Sequence, residues 1–447
     1  MEHILYGYQL NATTWVYLSS LLTIAIYFKF SRLWSIRNFD LLVLIAQAPG
    51  LLMVVQEGDV AYWGYVWLFA SGGVLLLRML FDARMVRRPL LEPNLSAGGM
   101  TFIAASLAVF MMVNVLTNTV DPRDLEGPQQ LDKMLFGAEP RPDDKVVAQH
   151  GPGYSLLHWI PSITTKTALS LKDPPVTAEQ DRYRYTVQAA TARTMAILSH
   201  LAVVLGVVVI GVWHFDNIRT GLAAATLYLL MPYTAVMTGR VDHVLPAALM
   251  TWAVALYRRP LASGMLLGLA TGAVYYPFFL LPLWLSFYWH RGLMRFICGF
   301  ASMLALMVVP LALTSANADL FLTQMKMMFG WPDPKMPGAE GFWRFHMVNE
   351  YFYLYRIPVL AAFVALSISF AIWPVRKNLG TLLSGSAALM LGTQFWNAHD
   401  GGIYIAWYLP LLLLTIFRPN LEDRVALATL GEGWLARRRT MSRKRAA

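Results

Sequence analysis

The chain has 447 residues, of which 57% are hydrophobic and 14% charged, and its formal net charge is +10. Soluble globular chains carry about 25% charged residues, so this composition excludes an ordinary soluble multidomain protein. The surplus positive charge lies in short loops and in the tail residues Arg437, Arg438, Arg439, Arg443, Lys444 and Arg445. That placement is a positive-inside bias next to anionic lipid; no nucleic-acid partner is expected, because no motif of a nucleic-acid-binding fold is present.

The apolar residues come in blocks of roughly 17–22, the length that crosses ~30 Å of hydrocarbon. The N-terminal stretch MEHILYGYQLNATTW has no basic n-region, so the first block is expected to be retained rather than cleaved. In chain order the expected spans are 13–30, 39–55, 60–81, 98–117, 192–212, 221–238, 243–258, 261–274, 276–289, 295–313, 357–374, 379–396 and 402–417. The expected fold class is therefore an all-α integral membrane protein with about 13 transmembrane helices. Every second loop is basic: Lys29, Arg32 and Arg37; Arg84, Arg87 and Arg88; Arg258 and Arg259; Arg291 and Arg295; Arg376 and Lys377; then the tail. This parity puts the C-terminus in the cytoplasm and the N-terminus outside.

Parity also requires a break in LASGMLLGLATGAVYYPFFLLPLWLSFYW, which as one span would invert every later loop. Pro277 supports a break near Tyr275–Pro277, since it removes a backbone donor and disfavours helix at the residue before it. The outside face carries two long loops, 118–190 and 314–356. The first is polar but holds the apolar piece HGPGYSLLHWIPS, expected as an interfacial or re-entrant segment. The second is dense in aromatic and Met residues, and long structured loops of this kind are often functional. Cys298 is the only cysteine, which excludes an intramolecular disulfide and argues against a Cys-based metal site.

No P-loop, HExxH or GxSxG motif is present. The candidate site residues are instead ionisable groups at the outer ends of spans. Asp121 and Asp124 follow the fourth span in VLTNTVDPRDLEGP. They read either as a hydrated turn at Asp-Pro or as a general base, whose proton affinity partial desolvation would raise. Arg240, Asp242 and His243 cluster in TGRVDHVLPA, as an exposed local ion pair or as a paired group lining the mouth of the bundle, with the Arg240 fork suited to a phosphate. His399 and Asp400 occupy a short outer turn beside Gly401 and Gly402, for which a simple turn is the favoured reading. His150 and Tyr154 lie in the re-entrant piece, where Gly151 and Gly153 allow close backbone approach. Lys326, Trp331, Arg344 and His346 in the second long loop are further candidate contacts, and the His and Asp positions are too scattered for a His-rich metal site.

Three stretches carry a family resemblance: TARTMAILSHLAVVLGVVVIG, GLAAATLYLLMPYTAVMTGRVDHVLPAALMTWAVALYRRP and LASGMLLGLATGAVYYPFFLLPLW. They resemble the GT-C superfamily of polytopic glycosyltransferases that use polyprenyl-phosphate-linked sugars, in particular its bacterial mannosyltransferase-like branch. The matching features are the basic turn Arg258–Arg259, the small-residue helix Met265–Ala270 and the YP-containing helix Tyr276–Pro282. The resemblance implies a GT-C-like core at 98–418, preceded by three additional helices within 1–97 and followed by a basic cytoplasmic tail, 419–447. It also implies an acidic base just after a span in the first outer loop, which by position is Asp121 or Asp124. Many relatives carry a basic residue before the YP element; here Ala273, Val274 and Tyr275 stand there, and Arg240 is the candidate substitute.

The implied function is transfer of a sugar, mannose being one such sugar, from a lipid-linked donor to an acceptor on the outer face of a cell membrane. Asp121 or Asp124 is the expected catalytic base. Arg240, Asp242, His243, His150, Tyr154, Tyr276, His399 and Asp400 are the expected substrate contacts. No motif calls for a cofactor, and a divalent cation stays open. The expected partners are the lipid-linked donor and membrane lipid. A non-catalytic scaffold, a transporter subunit and an envelope polysaccharide polymerase or ligase are the alternatives; the nearly charge-free span interiors and lack of related halves count against a transporter.

Overall fold

The computed structural model describes residues 11–56, 58–84, 92–136, 150–151, 153–172, 180–314, 317–319, 321–322, 325, 341–345, 353–375, 377–397 and 399–419. Among them every regular element is helical and there is no β-strand. Of the expected tail 419–447, only Pro419 belongs to the described residues; Arg87, Arg88, Lys326, Trp331, His346 and Arg376 lie outside them.

Local sequence sets the helix starts. Asn11 and Ser35 cap α1 (Ala12–Tyr27) and α2 (Ile36–Val54) by accepting hydrogen bonds from Thr13 N and Asn38 N. Gly58, at φ 84°, turns the chain into α3 (Asp59–Leu80), and Ser96 caps α4 (Ala97–Thr117). Such side chains satisfy N–H groups that a helix start leaves unpaired. The amphipathic α5 (Pro122–Phe136), α6 (Tyr154–Leu157) and α7 (Trp159–Lys172) follow. Then come the long α8 (Gln180–Phe215), α9 (Ile218–Leu230), α10 (Pro232–Val236), α11 (Val241–Ala255) and α12 (Pro260–Ala273). A 3-10 turn at Tyr276–Leu280 leads into α13 (Leu281–Tyr288), followed by α14 (Leu293–Thr314), α15 (Phe342–Phe345), α16 (Tyr353–Ile372), α17 (Leu379–Trp396) and α18 (Leu409–Phe417).

Six of these helices are long and apolar enough to cross a membrane: those within α2, α3, α4, α8, α14 and α16. Five shorter apolar helices accompany them, including α1, α9, α11 and α12. The protein is thus all-α and membrane-embedded, with six helices of crossing length among the described residues rather than thirteen. The reason is in the packing. All nine residues of α18 and nearly all of α17 are buried, and α9 and α11 are almost as enclosed. A helix that is apolar all round and enclosed belongs to the protein core, where its length is set by its neighbours and not by lipid. The long helices α4, α14 and α16 keep most of their apolar surface outside the protein interior, as lipid-facing helices do.

The expected break is present. α12 ends at Ala273, Val274 is extended, and Pro277 sits at the start of the 3-10 turn. Close backbone contact fixes α12 against α14: a Cβ on Gly264 would stand 2.2 Å from Phe296 O, so the stripe Gly264, Gly268, Gly272 acts as a small-residue helix interface. The apolar piece of the first long loop docks on the same end of α12. Gly153 N donates to Gly272 O at 2.7 Å, and Gly151, at φ 106°, approaches so closely that a Cβ would meet Gly272 O at 2.9 Å.

A buried ion cluster ties the first helices to the last. Arg78 on α3 binds Asp40 on α2 through Nε (2.8 Å) and Nη2 (3.1 Å), and Asp82 through Nη1 (3.0 Å). Arg418, after α18, donates to the other Asp82 oxygen at 2.5 Å. Both carboxylates are fully enclosed. Val54 and Val55 at the far end of α2, and Tyr65 near the start of α3, reach the cavity described next, so the cluster anchors one end of these helices while the other end forms the site.

Candidate functional site

A cavity of about 610 Å³ opens where α2, α3, α4, α5, α8 and the turn between α10 and α11 meet. Its lining combines apolar residues, Val54, Val115, Val236 and Met237 among them, with the charged Asp121, Arg123, Asp124, Arg193, Arg240 and Asp400. Four sequence candidates therefore converge here: Asp121, Asp124, Arg240 and Asp400. Their convergence depends on α5, which leaves the end of α4 and folds back towards the turn before α11. Asp121 starts that turn, its Oδ1 accepting from Arg123 N at 2.9 Å, so Pro122 can take the first helical position.

The two aspartates after α4 differ sharply. Asp121 is exposed. Asp124, one turn into the loop helix, is only 4% exposed. Its Oδ1 makes no hydrogen bond and faces Arg240 Nε at 3.4 Å. Burial pushes the Asp124 carboxyl up to about 8; Arg240 works against that rise, and Asp242, Asp121 and Glu126 add to it. Of the two expected bases, Asp124 is the one held in a desolvated setting with a proton affinity matched to proton transfer near neutral pH.

Arg240 is buried and already engaged. Its Nε and Nη2 bind the two oxygens of Asp242 at 3.0 and 2.7 Å. The expected local pair is present, but it is buried rather than exposed, and it leaves no idle fork for a phosphate: the bidentate face is taken by Asp242, and Nη1 remains. Asp242 is 3% exposed. Its backbone O accepts from Trp407 Nε1 at 3.0 Å, and its Oδ2 lies 3.7 Å from His243 Nε2. The other His243 nitrogen meets Tyr233 Oη, and Tyr404 packs on the ring. Asp242 and His243 thus stand behind the cavity wall, not in it.

Asp400 is buried and adopts φ 51°, a left-handed conformation uncommon outside glycine. Its carboxylate accepts from Tyr65 Oη at 2.9 Å and from Arg123 Nη1 at 2.8 Å. The favoured reading of this turn as a simple one is corrected: it places a carboxylate in the cavity and links the loop helix α5 to α3. His399 stays outside the cavity lining, half-buried, with its backbone N donating to Asn397 Oδ1 at 3.0 Å. Tyr276 is also away from the cavity, donating to the same Asn397 oxygen at 2.6 Å within an aromatic group of Tyr275, Trp396 and Trp407. His150 and Tyr154 pack below α5: their rings stack at 4.3 Å and His150 Nε2 is 3.7 Å from Glu126. Burial raises the Tyr154 phenol and lowers the neighbouring His158 to about 4, so both are neutral supports of the loop helix near pH 7.

Two cavity residues were missed by sequence reasoning. Arg123 pairs with Asp400, and Arg193 on α8 donates from Nη2 to Asn118 O at 2.9 Å. Arg193 carried a usable signal, since a cation near the end of an apolar span is costly unless it serves a cavity or a partner. Arg344, in α15, is exposed. Among the described residues no group of three or more His, Cys, Asp or Glu side chains is placed to hold a metal ion. Comparison with protein-family models finds no match, and comparison with curated proteins finds none.

Proposed function

We propose that the protein is a membrane glycosyltransferase that moves a sugar from a polyprenyl-phosphate-linked donor to an acceptor on the outer face of the membrane, with Asp124 as base. The observation that carries this reading is Asp124 itself: a buried carboxylate of raised proton affinity, 3.4 Å from Arg240, in a cavity of about 610 Å³. That volume falls in the range of small-molecule sites. The acceptor hydroxyl gives its proton to Asp124 as its oxygen bonds to the sugar C1. The bond between C1 and the phosphate oxygen breaks, and its electron pair goes to the phosphate. Of the three guanidinium groups that line this cavity, on Arg123, Arg193 and Arg240, the reading assigns Arg240 Nη1 and Arg193 to that growing charge. Asp121 hydrates and orients rather than accepting the proton.

The topology that fits this reading has about 13 crossings, counting the enclosed short helices as spans covered by their neighbours. The basic loops then face the cytoplasm and the cavity faces outside. One observation favours a second reading, a non-catalytic scaffold on the same frame: the Arg240 fork is held by Asp242, and so offers less to a donor phosphate. The two readings separate in one experiment. Purified protein in lipid is incubated with labelled polyprenyl-phosphate sugars and with Asp124→Asn and Asp121→Asn variants. Donor consumption that is lost in Asp124→Asn and largely kept in Asp121→Asn supports the enzyme. No consumption of any such donor, or full activity of Asp124→Asn, refutes it.

A further inference from the structure

Arg240 is shared unequally between two carboxylates, and the inequality has a consequence for Asp124. Its Nε lies 3.0 Å from Asp242 and 3.4 Å from Asp124, and its Nη2 adds a 2.7 Å contact to Asp242 alone. Asp242 wins because it is built in. It sits in the first turn of α11, two residues after Arg240, and its backbone is held by Trp407. His243, the next residue, is itself held by Tyr233 and Tyr404. Asp124 comes from a separate loop helix and faces the same Nε from farther away, at 3.4 Å.

We propose that Asp242 is a positioning residue: by holding the fork of Arg240 it keeps that charge partly away from Asp124, so that Asp124 retains its proton affinity. This refines the base role assigned to Asp124 above and rests on it only for its catalytic meaning. The geometry also explains why Asp242 is 3% exposed and does not line the cavity: its work is done on Arg240. Every other charged or titratable group facing Asp124 stays in place in the comparison, namely Asp121, Arg123 and Glu126 from its own helix and turn, Arg193 from α8, His150 and Tyr154 from the docked loop piece, and Asp400. Loss of the Asp242 charge removes one repulsion from Asp124 and lets the guanidinium turn towards it, and an opposite charge brought close lowers a carboxyl by about 1–3 units.

The test reads Asp124 directly. The C=O stretch of the protonated carboxyl is followed against pH by infrared difference spectroscopy on the full chain in lipid, and the Asp124 band is identified by its loss in Asp124→Asn. The wild-type midpoint is expected near 8. Asp242→Asn, or Asp242→Ser where the Asn variant does not accumulate, is expected to lower it by one unit or more, while Asp242→Glu, which keeps the charge, restores it. A wild-type midpoint in the ordinary carboxylate range, or a midpoint in the charge-removing variants that is unchanged or raised, overturns the proposal. If the midpoint falls by one unit, the ionised fraction at pH 7 rises about fivefold. Sugar transfer that fails to follow that rise refutes the base role of Asp124 and leaves the coupling through Arg240 supported.

Discussion

For the glycosyltransferase proposed above, the pH dependence of sugar transfer is the sharpest consequence of the Asp124 environment. A base titrating at about 8 is roughly one-tenth ionised at pH 7 and one-hundredth at pH 6, because one unit changes the ratio tenfold. Transfer at low donor concentration should therefore rise about tenfold from pH 6 to pH 7, continue upward, and level off above pH 9. An ordinary aspartate base would give a flat profile over that range. The same displacement is a statement about stability. The native Asp124 holds its proton between about pH 4 and pH 8, whereas the unfolded chain does not, so stability falls as pH rises through that window. The full effect is on the order of 5 kcal/mol for four units, and near-complete burial leaves little solvent screening to discount. Asp124→Asn removes the titrating group, so it should gain thermal stability relative to the wild type as the pH is raised from 5 to 9. Unfolding midpoints of the two proteins in the same detergent, measured across that range, check this without any activity. A transfer profile flat from pH 6 to 9, or a stability difference that does not grow with pH, refutes the account of Asp124.

Three other outcomes follow from the packing and the loop charges. Arg78→Met leaves the enclosed carboxylates of Asp40 and Asp82 without their shared cation, and should cost about 3–5 kcal/mol, seen as a large drop in the unfolding temperature; a change below about 1 kcal/mol, the size of an exposed pair, contradicts the burial of this cluster. Gly264→Ala sets a Cβ 2.2 Å from Phe296 O, a backbone atom, so α12 and α14 must separate, at about 1–3 kcal/mol; Ala at Gly73, where a Cβ meets nothing within 4 Å, is the control that should melt with the wild type. Orientation is read in a Cys298→Ser background: a membrane-impermeant thiol reagent should label Thr119→Cys on intact cells and should label Arg291→Cys only after lysis. The reverse pattern inverts the topology proposed from the basic loops.

Much of the helical frame was legible because apolar blocks and their caps act locally. Each of the thirteen expected segments overlaps at least one helix, though only six of those helices are of crossing length. The last one shows where this stops. Residues 402–417 are uniformly apolar, yet only Leu409–Phe417 is α-helix. Before it stand an irregular turn and a short 3-10 helix, Ile405–Trp407, with Gly402 at φ 107° and the backbone N–H groups of Gly402 and Tyr404 both satisfied by Gln394 Oε1. Burial is equally compatible with a helix and with irregular backbone whose polar groups find side-chain partners, so hydropathy cannot tell them apart; the Gly401–Gly402 pair was the available sign. Crossing length was also unreadable for the enclosed helices, since a sequence block does not reveal whether lipid or protein surrounds it.

The site was legible as fragments and not as an arrangement. Asp124 and Arg240 were each singled out for being charged at the end of a span, and they prove to be neighbours at 3.4 Å. What no local pattern contained was the fold-back of α5, which decides that Asp124 and not Asp121 is desolvated. Three positions separate the two residues, close to one helical turn, yet one is exposed and the other is 4% exposed. The local Arg240–Asp242 pair was legible, but neither its burial nor Asp124 as the farther carboxylate was: an Arg and an Asp two apart do not face each other along a helix, and they meet here because Arg240 is the extended cap residue before α11. The asymmetry of the cluster, one carboxylate holding the guanidinium and the other left with a raised proton affinity, therefore arises at the boundary between a turn and a helix, where backbone conformation rather than residue type sets which partner is nearer.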